Sequence, residues 1–520
     1  MAAIQWIQLI VALSFLVVIH EFGHFTFARI FKVRVEKFYM FFNPRFSLLR
    51  FKKVDGKWRF AFLAPNVEAA AVEQIDPITH EAKKDDKGNI LYRPMTMDEI
   101  NALPEGDWRR EPDNTEWGIG WVPFGGYCSI AGMVDETKAA TDLPSEPQPW
   151  EYRSKKSWQR LLIILGGILV NFIAALLMFG AMLYHWGDTT LPLSKIDNGL
   201  YYSPVLEEEG FRQQDRILSI DGVEPESLSD VVEALIVEGK REVVVLRRSE
   251  QSVDTVRLTM SEDLAMRYLA IMNETDRIER AHKHKDKTYQ KRPYVLISYY
   301  VPFVVDSVLE NNAAFYGGIL HGDSVVSING EPTPCTVMVQ NALAAHPYDS
   351  ITVGLYREGE YQEARLFIGE HAKMGVTMMP VTAFYEPDHK EYGFFEAIPA
   401  GIKYGWNLLA SYVHQFRLVF SKEGAESLGG FGAIGNMFPK LWDWYSFWHM
   451  TAFLSLILAF MNFLPIPALD GGYVLLLLLE MITGKQIPDK WLEKINNIGF
   501  WILIALLIYA NGNDIFKAFF

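Results

Sequence analysis

The run His20-Glu21-Phe22-Gly23-His24 sets two imidazoles four residues apart with a carboxylate beside the first. On a helix, residues i and i+4 share a face. That spacing lets two histidines bind one zinc ion while the adjacent glutamate acts as a base toward a metal-bound water. The 16 uncharged residues Ile4–Ile19 lead directly into the run. A charge or titratable group inside a bilayer costs several kcal/mol unless something pairs with it, and one metal ion would pair with all three residues. The plainer alternative is a helix end whose polar residues reach the membrane surface.

A zinc site of this kind takes a third protein ligand and keeps a fourth position for water. No His, Asp or Glu lies between Phe25 and Val35. Asp470 is the candidate, as the only carboxylate from Met450 to Leu479. It closes the run Asn462-Phe463-Leu464-Pro465-Ile466-Pro467-Ala468-Leu469-Asp470-Gly471-Gly472, whose prolines and glycines should break a helix. Broken backbone at membrane depth is tolerated where it lines a polar cavity. Alone, Asp470 reads equally well as a ligand or as a helix cap; beside the histidine pair the ligand reading is favoured. The two cysteines, Cys128 and Cys335, cannot build a Cys-rich zinc site or a disulfide framework. Cys128 reads as a small packed residue, and His185, His414 and His449 as interfacial.

The elements that must hold these residues are membrane spans. A span needs about 20 mostly apolar residues. Four stretches qualify: residues 1–30 with the histidine motif, 158–185, 446–482 with the Asp-Gly motif, and 495–513. Positive charge marks the cytoplasmic flanks: Arg29, Lys32, Arg34 and Lys37 after the first span, Arg153, Lys155, Lys156 and Arg160 before the second, and Lys485, Lys490 and Lys494 before the fourth. Both termini and the segment after the second span are therefore expected outside the cytoplasm, and residues 31–157 inside it. Fourteen residues separate Trp6, a plausible interfacial anchor, from His20. At about 1.5 Å per residue this is about 21 Å, so in a core of about 30 Å the motif falls on the cytoplasmic side of the midplane but within the membrane.

The external segment contains a duplication: Gly210–Gly222 aligns without gaps on Gly318–Gly330. Each copy reads as a loop, a short strand and an Asp-Gly or Asn-Gly turn, then a helix and further strands. Two domains are expected, 190–262 and 294–378, joined by a charged solvated linker, 263–293. Residues 390–437 read as an amphipathic helix on the membrane surface followed by a flexible Gly-rich segment, and 64–116 as an irregular cytoplasmic insertion. Across the 520 residues, half are hydrophobic and the net charge is −14, which suits membrane spans mixed with soluble domains and argues against nucleic-acid binding.

The pairing of His-Glu-x-x-His in the first span with Asn-x-x-Pro-x-Pro-x-Leu-Asp-Gly-Gly near the third resembles the site-2 protease family of intramembrane zinc metalloproteases (peptidase M50). Four spans with two PDZ-like copies between the second and third resemble in particular the bacterial regulators of sigma-E that belong to it. Pro123-Phe124-Gly125-Gly126-Tyr127 is similar to the family's membrane-re-entrant β-hairpin, placed here near 117–133. Gly166-Gly167-Ile168-Leu169-Val170-Asn171-Phe172 is similar to its Gly-Pro-x-x-Asn-Phe run, and Gly429–Gly435 to the segment before span three. Gln214, Ile168, Cys128-Ser129 and Tyr473 depart from the family's usual Gly, Pro, Val-Lys and His.

The resemblance implies a multi-pass α-helical membrane protein with two external PDZ domains. It implies one Zn2+ per chain held by His20, His24 and Asp470, with Glu21 as catalytic base. Asn462 and the hairpin residues Gly125, Gly126 and Tyr127 would bind substrate. It further implies regulated intramembrane proteolysis in a bacterial inner membrane. The expected substrates are pre-trimmed single-span proteins such as anti-sigma factors and remnant signal peptides, gated by the PDZ pair. Two rivals are a PDZ-bearing scaffold with a vestigial metal site, which has no need of Glu21, and a zinc carrier, which would show repeats among its spans; none is apparent.

Overall fold

The computed structural model describes residues 3–67, 71–73, 92–133, 147–249, 252–285, 294–369, 372–416 and 429–519. The chain divides into two units, one formed by the segments up to Trp186, Gly393–Leu409 and Gly429–Asp514, the other chiefly by Gly187–Tyr392. Besides the short helical turns Met97–Asn101 and Tyr152–Ser154, the first unit carries α1 (Ala3–Ile30), α2 (Ser157–Trp186), α3 (Phe394–Phe416, shared with the second unit), α4 (Phe431–Asn436), α5 (Trp444–Phe463), α6 (Asp470–Thr483) and α7 (Asp489–Phe519). Four of them are long and apolar enough to cross a membrane: α1, α2, α5 and the Lys494–Ile515 part of α7. A helix pairs its own backbone groups, which lipid cannot do for it.

Lipid gives apolar helices little reason to associate, so close packing of small residues does the joining. α1 crosses α2 at Gly23 and Gly166. A Cβ on Gly23 would sit 2.2 Å from the Gly166 carbonyl oxygen, and one on Gly166 would sit 2.6 Å from that of Gly23. α5 packs on α2 through Ala452 and Leu456 against Ala175 and Phe179, and Ser455 Oγ donates to the Asn171 carbonyl at 2.8 Å. Gln5 and Gln8 of α1 donate to the carbonyls of Phe438 and Pro439 at 2.8 and 2.9 Å, which ties the start of α1 to the approach to α5.

Two expectations for this unit change, and a third element gains a packing partner. The third span, expected as 446–482, is two helices, α5 and α6, with the proline-containing residues 464–469 between them. The Gly-rich run, expected to be flexible, forms α4. Asp514 on α7 accepts the N–H groups of Gly430 and Ala433 at 3.0 and 2.9 Å, and Asn511 accepts that of Phe431 at 3.2 Å. The helix expected within 390–437 is α3, and it runs beside α2. Phe394 meets Tyr184 edge-on, Ala397 and Gly401 pack on Gly180, and Gly405 packs on Leu176 and Phe179. Small residues every four positions bring the two backbones together; Lys403 and His414 hid that stripe.

Between α1 and α2 lies a five-stranded sheet of β1 (Val35–Phe42), β2 (Phe46–Val54), β3 (Lys57–Pro65), β4 (Glu116–Ile119) and β5 (Val122–Ile130), in the order β3-β2-β4-β1-β5. The hairpin expected near 117–133 is not one. β4 and β5 flank β1, parallel and antiparallel to it, rather than pairing with each other. The short Gly120-Trp121 link reads as a hairpin turn, but it passes over the end of β1: the N–H groups of Gly120 and Trp121 donate to Met40 and Phe42 at 2.8 and 3.1 Å. Only glycine fits there, since a Cβ would lie 2.2 Å from the Phe42 oxygen. Part of the insertion expected to be irregular also docks on this sheet. Lys52 Nζ donates to the Trp108 carbonyl at 2.9 Å, Arg50 lies 4.5 Å over the Trp108 ring, and the Gly106 N–H donates to Asp55 at 2.7 Å.

In the second unit the duplicated segments fold alike. Asp215 and Asp323 are buried carboxylates, each accepting a backbone N–H three residues upstream at 2.8 Å, from Arg212 and Leu320. Arg247 forks onto Asp215 at 2.9 and 2.7 Å, and Arg357 onto Asp323 at 2.7 and 2.6 Å. Each arginine also donates to the glycine that opens its copy, Gly210 or Gly318, at 2.8 Å. Gln214 takes φ +70° where the second copy has Gly322 at +85°, a conformation that costs a non-glycine residue about 1–2 kcal/mol.

The expected linker 263–293 contains a helix, Leu264–Lys285, whose Leu264, Ala265, Tyr268 and Ile271 pack into the first copy's core. Its apolar face was masked by the charges from Asp276 onward. The boundary at 294 moves as well: strand Ile297–Tyr299 pairs with Leu200–Tyr202 and closes the first copy, as Val376–Met378 pairs with Phe303–Val308 in the second.

Candidate metal centre

α1 carries His20 and His24 on one face, with their Nε2 atoms 3.2 Å apart. Asp470, the first residue of α6, places Oδ2 3.1 Å from His20 Nε2 and 3.3 Å from His24 Nε2. The three side chains are mostly buried, and Asp470 Oδ2 has no hydrogen-bond partner. Among the described residues this is the one cluster of three or more potential ligands that could hold a metal ion. For tetrahedral zinc with bonds of about 2.0–2.1 Å, neighbouring ligand atoms stand about 3.3 Å apart. Two imidazole lone pairs and a carboxylate oxygen held at that separation fit a divalent cation, which would satisfy all three at once.

The Ile163 carbonyl fixes the tautomer of His24, and Asn171 faces the ring of His20. His24 Nδ1 lies 2.9 Å from the Ile163 carbonyl oxygen; only an N–H can be stabilised there, which leaves Nε2 with its lone pair. His20 Nδ1 lies 3.3 Å from the side-chain amide of Asn171, whose Oδ1 has no partner as placed. The two amide orientations have the same shape, and the one that turns Oδ1 toward the ring accepts the His20 Nδ1–H. Gly167 forms the wall behind both rings: a Cβ there would be 2.5 Å from His24 Nε2 and 2.6 Å from His20 Cε1. One face of α2 thus supplies Ile163, Gly167 and Asn171 to the cluster.

Asp470 is delivered by the break between α5 and α6. Ala468 takes φ +71°. Gly471 and Gly472 let the start of α6 close onto residues 464–467; Cβ atoms on them would lie 2.0 Å from the Leu464 oxygen and 2.7 Å from the Ile466 oxygen. From α7, Gly499 packs on Pro467, and Asn496 donates to the Tyr473 hydroxyl.

Glu21 follows His20 and faces the backbone N–H of Cys128 on β5. This sets the candidate base beside the edge strand of the sheet. Gly126 packs between the Tyr39 carbonyl and Val17 of α1, one turn before His20; a Cβ would lie 2.6 and 3.0 Å from them. Gly125 takes φ +116°. Tyr127 points into the sheet's aromatic layer instead of the cluster: its ring stacks on Tyr39 at 5.3 Å and its hydroxyl donates to Asn43 at 2.9 Å. Asn462 lies at the end of α5 with its carbonyl against Gly471, and its side chain makes no hydrogen bond to His20, His24 or Asp470. The sequence reading brought His20, Glu21, His24 and Asp470 into view but missed Gly23 and Ile163. Gly167 and Asn171 entered only through the resemblance. Gly23 and Gly167 carried a signal, being glycines inside otherwise apolar helices.

The profile of Peptidase family M50 matches residues 8–87 and 107–506. A protein of Vibrio cholerae named "Putative zinc metalloprotease" is 24% identical over 531 residues, covering 99% of both chains. The "Regulator of sigma-E protease RseP" of Escherichia coli is 23% identical over 521 residues, covering 97% of each, and the "Regulator of sigma E protease" of Haemophilus influenzae is 22% identical over 425 residues, covering 79% of this chain and 89% of its own. With all but short stretches of its length matched, the chain belongs to peptidase family M50.

Proposed function

We propose that the protein is a zinc metalloprotease that cuts transmembrane segments within the bilayer. The observation that carries the reading is the convergence of His20, His24 and Asp470 at zinc-like separations, inside a group of helices long enough to cross a membrane. His20, His24 and Asp470 would hold one zinc ion. Bound there, zinc would polarise the scissile carbonyl and make a coordinated water acidic near neutral pH. Glu21, beside the Cys128 N–H, takes the proton of the attacking water and passes it to the leaving amine. The Ile163 carbonyl keeps His24 in the ligating tautomer, and Asn171 faces the His20 ring.

A substrate helix hides its peptide bonds and must unwind before attack. β5 is an edge strand of its sheet and lies beside Glu21, so it is the element to pair with the unwound chain. Gly125 and Gly126 allow close approach, with Asn462 holding backbone on the other side. The two alike-folded copies of the second unit act as PDZ domains that gate or select substrates. The flanking charges support a bacterial inner-membrane topology with both termini and the PDZ pair external. The substrates would be pre-trimmed single-span proteins, anti-sigma factors and remnant signal peptides among them. Purified protein mixed with a single-span substrate should cleave it, and Glu21→Gln should lower the rate at least about a hundredfold, at the low end for a removed base. Equal cleavage by both would refute the mechanism.

A further inference from the structure

The histidines and Asp470 come from α1 and α6, and each of these helices packs on α2. The relative position of the ligands is therefore set through α2. α1 is locked to it by the Gly23–Gly166 crossing. α6 has apolar contacts with α2, which resist separation but not sliding along the axis. One feature resists sliding: Arg160 on α2 forms a salt bridge with Glu480 on α6, their side chains only 8% and 7% exposed. Ser157 Oγ donates to the same Glu480 oxygen at 2.8 Å, and the guanidinium lies 5.9 Å from the centre of the Tyr152 ring. Arg160 precedes Ile163, Gly167 and Asn171 at helical spacing, on the face that backs the histidines.

We propose that Arg160 and Glu480 are positioning residues for the third metal ligand: their ion pair fixes the axial register of α6 against α2 and so places Asp470 Oδ2 opposite the two Nε2 atoms. A slip of one residue's rise moves a helix by about 1.5 Å, while a metal–ligand bond tolerates about 0.2 Å. Buried ion pairs add little stability over well-packed apolar residues but hold register well. The inference rests on the zinc reading given above.

The test is zinc affinity of the full-length protein in detergent micelles, measured by competition with a chelator, alongside the melting temperature. Glu480→Ala and the gentler Glu480→Gln are compared with Gly401→Ala. The last substitution crowds α3 against Gly180, where a Cβ would lie 2.3 Å from the backbone nitrogen, and so destabilises the same unit without touching α6. Zinc affinity should fall about 10–100-fold in Glu480→Ala, the range for losing a partner that orients a ligand, and less in Glu480→Gln. Gly401→Ala should melt lower yet bind zinc as the wild type does. If the Glu480 variants keep wild-type zinc affinity while melting lower, or if Gly401→Ala loses zinc equally at the same melting temperature, the positioning role is overturned. A wild-type protein that binds no zinc would instead overturn the metal reading itself.

Discussion

Gly167→Ala adds one methyl group to α2 at the back of the site. The new Cβ would lie 2.5 Å from His24 Nε2 and 2.6 Å from His20 Cε1, whereas ordinary contact begins near 3.4 Å. Either both rings retreat by about 0.9 Å or α2 moves away from α1 by as much, against a ligand tolerance of about 0.2 Å. Retreat of α2 would open the close Gly23–Gly166 crossing that joins the two helices. Zinc affinity should therefore drop at least about 100-fold, which is about 2.7 kcal/mol. Overpacking costs about 1–3 kcal/mol of stability, so the protein should still fold. The assay is metal content after dialysis against a graded chelator, with a melting curve on the same sample. Gly512→Ala on α7 is the control, since nothing lies within 4 Å of its Cβ position; it should keep zinc. If Gly167→Ala retains zinc as tightly as the wild type, the site is not built as described.

Asp514→Ala should release the N-terminus of α4 by removing the acceptor of two N–H groups. A lost cap costs about 1 kcal/mol, and the effect should appear as faster amide exchange at residues 430–436, with Asp514→Asn intermediate. Arg357→Ala should destabilise the second copy of the duplicated domain by about 3 kcal/mol, because it strands the buried Asp323 carboxylate. Burial raises the Asp323 pKa, but the Arg357 fork and the Leu320 N–H outweigh it and hold it below the ordinary 3.8. In the wild type that contribution is fully present above about pH 4 and lost as pH falls through the folded-state value. The deficit of Arg357→Ala, read by thermal unfolding across pH, should be largest near neutral pH and shrink in acid, where a neutral Asp323 tolerates burial.

What the sequence disclosed follows the length scale of each signal. His20 and His24 are local, four apart on one helix, and Asp470 stood out as a lone carboxylate in an apolar stretch. The first, second and fourth spans are long runs whose expected bounds lie within a few residues of the helices, whereas the third was read through the break at 464–469. Elements defined by distant partners were hidden. β1 slips between β4 and β5 although they adjoin in sequence, so the pairing was misread. The Asp215–Arg247 and Asp323–Arg357 forks span 32 and 34 residues and so fell outside the gapless alignment of the copies. α3 was read by its charges, while what places it is a stripe of Ala397, Gly401 and Gly405. Glycines in α1 and α2 passed as neutral spacers until their neighbours' backbones were seen against them.

His20, His24 and Asp470 should hold one zinc ion. Zinc-edge X-ray absorption on the purified chain, with metal content measured on the same sample, tests it most directly. One zinc per chain, surrounded by two imidazole nitrogens and oxygen ligands at about 2.0–2.1 Å, with binding lost in Asp470→Ala, is the expected result. A sulfur shell at about 2.3 Å, or full zinc retention in Asp470→Ala, would contradict it.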